Sequence, residues 1–318
     1  MDAGELELLD KSVRHALTSE PNADDALEAI GWSDLLAAEP RDAVSVVFGA
    51  LGELNAVASS LDDVMLDGLG VGWEPGGALA LPPFATWEPP GTLRDDALEI
   101  DGLALARVAR RETVAVPARD GDAVVVALVP TDTVTRTAVN GLSPELGISR
   151  LRGTALQPAA IETVERAAWN DALIAGRRAL ATELVAAGRA MLRLAREHAL
   201  EREQFGRPIA QFQAVRHRLA ETYVALEAAE AAVVSAWDAP GPLTAMLAKS
   251  LAGRGASIAA RHCQQVLAGI GFTSEHALHR YVKRALVLDG LLGSSSRLPQ
   301  ELGTTLLATR QLPRLLDL

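Results

Sequence analysis

From residue 167 to residue 292 the apolar residues recur at helical spacing in four successive runs, and this patterning most constrains the fold. "AAWNDALIAGRRALATELVAAGRAMLRLAREHALE" comes first, with Leu180, Leu184, Ala187, Met191 and Leu194 along one stripe. After a break at Phe205–Pro208 follow "FQAVRHRLAETYVALEAAEAAVVSAW", "LTAMLAKSLAGRGASIAARHCQQVLAGI" and "SEHALHRYVKRALVLDGLL". "DAPGP" and Gly271 end the second and third runs, because Pro and Gly do not continue a helix. Four antiparallel helices with short connections predict an up-and-down bundle over 156–318, closed by a short terminal helix in "RLPQELGTTLLATR". Only 4% of the residues are aromatic, against 49% hydrophobic overall, so the core must be Leu, Ala and Val packed at close helix approach.

Residues 1–66 also read as helical. "ELELLDKSVRHAL" sets Leu6, Leu9, Val13 and Leu17 near one face, and Asn and Asp open a second helix in "PNADDALEAIGW". The texture then changes. "DGLGVGWEPGGALALPPFATWEPPGT" is too rich in Gly and Pro for a long helix, and short β-like runs follow, separated by Asp120-Gly121 and Asn140-Gly141. A small antiparallel β domain is expected over 67–155. The fold class is therefore mainly α with a small β domain: N-terminal helices, a middle β domain and a C-terminal four-helix bundle.

Composition excludes several functions. The net charge is −11, which argues against non-specific nucleic-acid binding. Cys263 is the single cysteine, so a CxxC redox pair is excluded and a reducing compartment fits. The acidic start "MDAGELELLD" is not a signal peptide, and no apolar run approaches the ~20 residues of a membrane span. A cytoplasmic protein is expected.

"LEREQFGRPIAQFQAVRHRLAE" needs a breaker between two helices, but it does not need Arg202, Gln204, Phe205 and Gln213 around it. Arg202-Glu203-Gln204-Phe205-Gly206-Arg207-Pro208-Ile209, then Phe212-Gln213 and Leu219-Ala220, resembles the Arg-x-x-Phe-Gly-x-Pro-Ile…Phe-Gln…Leu-Ala signature of the acyl-CoA dehydrogenase family. Gln265-Val266-Leu267-Ala268-Gly269-Ile270-Gly271-Phe272-Thr273 is similar to the family's Gln-x-x-Gly-Gly-x-Gly-Phe-Thr turn, with Ala268 in place of the first Gly. The resemblance implies FAD as cofactor. It also implies that both turns hold the adenine and pyrophosphate end of a flavin carried mainly by a neighbouring subunit. Arg202 would meet the pyrophosphate, Gln204 and Gln213 would supply amides, and Phe205 would pack beside the cofactor. Gln265 and Gly269 would line the adenosine portion, with Gly269 allowing close approach.

The family's catalytic base is missing. Its usual Glu, in a Tyr-Glu-Gly-Thr turn, aligns with Leu292 in "LDGLLGSSS", and Ser294 and Ser296 stand where the family uses Thr and Gln. The alternative base position, on the first long helix, aligns with Gly176. Neither residue can accept a proton. The Thr-Glu-Pro-x-x-Gly-Ser-Asp and Trp-Ile-Thr-Asn-Gly stretches that flank the flavin ring are absent as well. Such a degraded ring site beside a kept tail site resembles actinobacterial α2β2 members linked to sterol and cholate breakdown. The expected partner is then a homologous acyl-CoA dehydrogenase subunit, and the expected substrate a steroid-derived CoA thioester held mainly by that partner.

Several smaller candidates remain. Asp289, one turn before Leu292, is the candidate displaced base of a self-contained homo-oligomeric dehydrogenase. Glu183 falls two turns after Gly176 and reads as a buried polar contact, and Arg177 lies near the expected acyl cavity. Trp73 and Trp87 read as loop residues packing the β domain rather than stacking on flavin. His276-x-x-His279 lacks a third ligand, and no metal is expected. A non-enzymatic interaction module that has lost FAD is the third reading of the chain.

Overall fold

The computed structural model describes residues 1–310 apart from Pro21, 72–76 and Asp96. Trp73 therefore lies outside the described residues. Five helices open the chain: α1 (Ala3–Ser19), α2 (Ala23–Ala29), α3 (Trp32–Ala38), α4 (Pro40–Leu54) and α5 (Ser60–Leu69). The side chain of Asp2 accepts from the Gly4 and Glu5 amides, and the Glu5 carboxylate accepts from the Asp2 amide, a reciprocal cap that fixes the start of α1. The Asn22 side chain caps α2 by accepting from the Asp24 amide, from its position ahead of "ADDALEA".

The β domain is one eight-stranded sheet. It comprises β1 (Ala78–Leu79), β2 (Gly91–Arg94), β3 (Ala97–Ala104), β4 (Thr113–Asp120), β5 (Ala123–Pro130), β6 (Thr135–Ala138), β7 (Ser149–Leu156) and β8 (Ala160–Val164). The order is β6-β7-β3-β2-β4-β5-β8, with β1 added against β4. The expectation of a purely antiparallel sheet is corrected, since β1 and β2 both run parallel to β4. The "LEIDGLALARV" run is also not one strand: it leaves the sheet at Ala104 and closes in a 3-10 turn, Ala106–Arg110. Strand β8 lies past residue 155, where the sequence suggested helix. "AIETV" is β-branched at three positions and pairs along β5 from Val124↔Val164 to Leu128↔Ala160. Helix α5 likewise runs on to Leu69.

Helix α6 (Arg166–Glu201) is the axis of the bundle. It is buried around much of its circumference because α4, α5, α7 (Gln213–Asp238), α8 (Pro242–Leu267) and α9 (Leu278–Gly290) all pack on it. Leu180, Leu184, Ala187 and Met191 are buried, as the stripe predicts, and Leu194 is half-buried at its end. Small residues let the helices approach: a Cβ on Gly52 of α4 would collide with the Glu183 carbonyl of α6. The fourth bundle helix is shorter than its sequence pattern suggests, since Ser274–Ala277 form turns before α9 begins. Helix α10 (Leu298–Thr309) closes the described chain. No described helix is long and apolar enough to cross a membrane.

Candidate functional site

The helices alternate in direction, so α6 and α8 end together, and α7 and α9 begin there. Both candidate turns therefore lie at one end of the bundle. Glu203–Gln204 and Arg207–Pro208 form a two-stranded hairpin, closed by a hydrogen bond from the Ile209 amide to the Arg202 carbonyl (2.8 Å). Its two central residues, Phe205 and Gly206, both take left-handed φ, 54° and 75°. That is the geometry of a tight hairpin turn, and it suits glycine but strains phenylalanine. Phe205 is nevertheless held 93% exposed. Its ring meets Phe212 edge-on at 6.1 Å, and the Arg207 guanidinium lies 4.4 Å over the Phe212 ring.

Arg202 caps α6 through its amide, and its exposed side chain forms no ion pair among the described residues. Gln204 donates to the Glu203 carbonyl (2.7 Å), and Gln213, at the start of α7, is exposed. At the end of α8, Gln265 and Gly269 are exposed, and Phe272 stands 72% exposed. A Cβ on Gly269 would meet nothing within the chain, so any close approach there must come from a bound group. Ala268, which replaces the first glycine of the turn, takes φ 50° and ψ −133°, a region that essentially only glycine adopts without strain. The α6 end and the residue 276 region are electrostatically close. Burial, then the His276 and Arg202 charges, hold His198 below the usual histidine range.

The base positions lie elsewhere. Leu292 is fully buried, with φ 54°. A Cβ on Gly176 would come within 2.6 Å of its Cδ1 and 3.0 Å of Met65 Cγ. The two alternative base positions thus touch, and leucine fills the space against glycine. Arg177, also buried, donates through Nε to the Leu292 carbonyl (3.0 Å), while its Nη2 has no partner, and burial lowers its guanidinium to about 10. Trp87 sits between Arg177 and Arg297, whose guanidinium carbons lie 5.7 and 5.8 Å from its ring centre.

Asp289 does not face that space unencumbered. Its carboxylate accepts from the Ser295 amide (3.0 Å) and hydroxyl (3.1 Å). Buried Lys249, which sequence reasoning passed over, donates to the Asp289 and Gly293 carbonyls at 3.0 and 3.3 Å and lies 3.9 Å from the Asp289 carboxylate. The available signal was a single lysine inside the Ala-rich run "AMLAKSLAG". Ser294 and Ser296 bond each other at 2.9 Å. Glu183 forms a buried ion pair with Arg284 of α9. His276 accepts from the Leu278 amide and caps the turn into α9, and no group of three His, Cys, Asp or Glu side chains able to hold a metal occurs among the described residues.

Helices on either side of a mixed sheet and a four-helix bundle give the chain the fold of the acyl-CoA dehydrogenases, a family whose cofactor is FAD. Residues 167–302 match the family described as acyl-CoA dehydrogenase, C-terminal domain. Among particular proteins, the chain is 45% identical over 106 residues to acyl-CoA dehydrogenase IpdE2 of Mycobacterium tuberculosis, a match covering 33% of each chain. It is 40% identical over 125 residues to acyl-CoA dehydrogenase FadE34 of the same organism, covering 37% of this chain and 18% of that one. The matched segments thus span a third or less of these relatives. In fold it is similar to the Tcur3481-Tcur3483 steroid ACAD G363A variant, with TM-score 0.80 and 22% identity over 96% of this chain and 99% of that one. It is also similar to the ChsE4-ChsE5 complex from Mycobacterium tuberculosis, with TM-score 0.77 and 21% identity over 99% and 100%.

The residues at the bundle end fit the tail of FAD. An unpaired arginine, exposed amides and two exposed aromatic rings are the donor set that an adenine and a pyrophosphate need. The interior around Leu292 does not fit a flavin ring and an acyl group, because packed side chains occupy it.

Proposed function

We propose that this chain is one subunit of a heteromeric, flavin-dependent acyl-CoA dehydrogenase, supplying the hold on the FAD adenine and pyrophosphate to a site completed by a homologous partner. The observation that carries this reading is a distance. Gly176 and Arg202 lie on the same helix, and from one to the other α6 rises about 39 Å. A single extended dinucleotide does not reach from the Leu292–Gly176 region to Arg202. The tail residues of this chain therefore serve a flavin whose ring lies outside it.

FAD, when bound, takes up hydride in the α,β-dehydrogenation of a CoA thioester. This chain's part is binding. Arg202 neutralises pyrophosphate charge, Gln204, Gln213 and Gln265 offer amide donors and acceptors, and Phe205 gives the cofactor an apolar flank. Open space at Gly269 admits the adenosine portion. No base for the α-proton comes from this chain, since Leu292 and Gly176 cannot accept one and Asp289 is engaged by Ser295. The stoichiometry is α2β2, and the acyl group is steroid-derived, in keeping with the steroid enzyme among the similar folds.

Arg202→Ala tests the reading in the complex formed with the homologous subunit. A charge-assisted bond to pyrophosphate is worth ~1.5–3 kcal/mol, so FAD affinity is expected to fall roughly ten- to a hundredfold, with Tm in excess FAD nearly unchanged. Flavin occupancy is read by absorbance after gel filtration. Unchanged occupancy in a complex that falls apart would make Arg202 an interface strut and end the flavin assignment.

A further inference from the structure

His198 and Arg202 stand one turn apart at the end of α6, on the same face of the helix. The Arg202 amide donates to the His198 carbonyl (2.8 Å), so the bond that ends the helix also fixes the spacing of the two side chains. The His198 imidazole is half-buried and forms no hydrogen bond among the described residues. Arg202 and Glu201 face it from α6, and His276 faces it from the turn before α9. Both turns of the tail site thus bring a charged or titratable group to one spot. The two imidazoles there are not alike. His276 Nδ1 accepts from the Leu278 amide (3.1 Å), and His279 Nδ1 donates to the His276 carbonyl (2.7 Å). A proton added at His276 Nδ1 would break the first of these bonds and free the start of α9, whereas His198 can take a proton and lose no bond.

We infer that His198 takes a proton from solvent when the FAD diphosphate settles on Arg202, and so becomes the second cation of the tail site. This rests on the flavin reading above. The charges then balance: the diphosphate carries two negative charges, the Arg202 guanidinium supplies one positive charge, and the His198 imidazolium supplies the other. In the empty site, burial and then the His276 and Arg202 charges hold His198 below the usual histidine range. An anion on Arg202 cancels one of those charges and adds an attraction of its own, which favours the protonated imidazole by about tenfold or more. A group whose proton affinity is higher in the complex tightens the complex at pH below its free value and adds nothing above its bound value. The hold on FAD therefore strengthens as pH falls from about 8 to about 5.5, the interval in which a histidine changes charge.

The test compares the wild-type complex with His198→Gln, a neutral side chain of similar size. FAD is titrated into the flavin-free complex formed with the homologous subunit, and binding is read by flavin fluorescence from about pH 5.5 to about pH 8. FAD itself has no group that titrates in this interval, and both complexes share the partner, so the difference between them belongs to residue 198. Wild-type affinity is expected to rise roughly tenfold toward the acid end, and His198→Gln to match wild type near pH 8 and lack that rise. Calorimetry in phosphate and in Tris, which differ in ionisation enthalpy, should show the wild type taking up about half a proton or more per FAD near pH 6.5, and the variant less by that amount. No proton uptake by the wild type, or a variant weakened by the same factor at every pH, would overturn the inference and leave FAD at Arg202. FAD binding indifferent to Arg202→Ala would instead remove the flavin reading, and this inference with it.

Discussion

Phe205, Ala268 and Leu292 share a backbone state that their side chains resist, φ between 50° and 54°. Each stands at a motif position: the hairpin tip, the α8 turn and the absent base. At Leu292 burial against Gly176 and Met65 offsets the strain. Phe205, being exposed, has no such compensation within the chain, and neither does Ala268. An Ala there costs about 1–3 kcal/mol of strain, while glycine loses about 0.4–1 kcal/mol more entropy on folding. Ala268→Gly should therefore stabilise by about 1 kcal/mol, a Tm rise of roughly 1–2 °C for a chain of this size. Scanning calorimetry at neutral pH checks this, and an unchanged or lowered Tm would show that the backbone at 268 is unstrained. The substitution was readable in the sequence, because a glycine was missing from a recognisable turn. Its strain was not, because φ is set by the chain on both sides of the residue.

At the level of elements, helical runs and turns were legible, and so was Glu183 as a buried polar contact, but the partners of such contacts between helices were not. The α6 stripe reads directly from leucine spacing, and the Phe205–Pro208 break between two helices reads from Gly and Pro, whereas the two-stranded hairpin that fills the break does not. β8 was misread because its short run sits beside the start of a long helix, and its identity depends on pairing with distant β5. Lys249 shows the same limit. Its role is to hold the Asp289 and Gly293 carbonyls, on a turn forty residues away. Burial pushes its ammonium down to about 8, with Asp289 opposing and Arg177 adding to the shift. Because the folded value lies below the ordinary lysine value near 10.4, the unfolded chain binds the proton more tightly between the two, so stability rises with pH across that window. The difference in unfolding free energy, wild type minus Lys249→Met, should grow by up to about 3 kcal/mol from pH 8 to pH 10.4. Urea titrations at three pH values measure it, and a flat or falling difference would place the lysine in contact with water.

Across the whole molecule, the N-terminal helices are tied to the β domain by a charged knot. Arg107, in the 3-10 turn after β3, forks onto Asp63 of α5 and reaches Asp24 of α2 at 3.3 Å. Trp32 donates to Asp63 (3.0 Å), and the Arg107 amide donates to the Ser59 hydroxyl (3.1 Å). Arg110 on the same turn holds Asp25 at 3.1 Å, but it is half exposed and its pair is weak. Asp62 is fully buried beside this knot, and neither of its carboxylate oxygens has a hydrogen-bond partner. Burial pushes it well above the usual carboxylate range, Arg107 pulls the other way, and Asp63 and Asp24 reinforce the rise. One buried arginine facing three acids leaves the least solvated of them protonated. A carboxyl whose folded-state value is raised contributes stability that is present at low pH and lost as pH climbs through that value, because ionisation must then occur in a dry site. Asp62→Asn removes the ionising group with little change of shape. The variant should match wild type near pH 4.5 and become the more stable of the two as pH rises to 8, as read by thermal or urea unfolding of the full chain. A stability difference that stays constant over that range would mean that Asp62 is already ionised and paired in the folded protein.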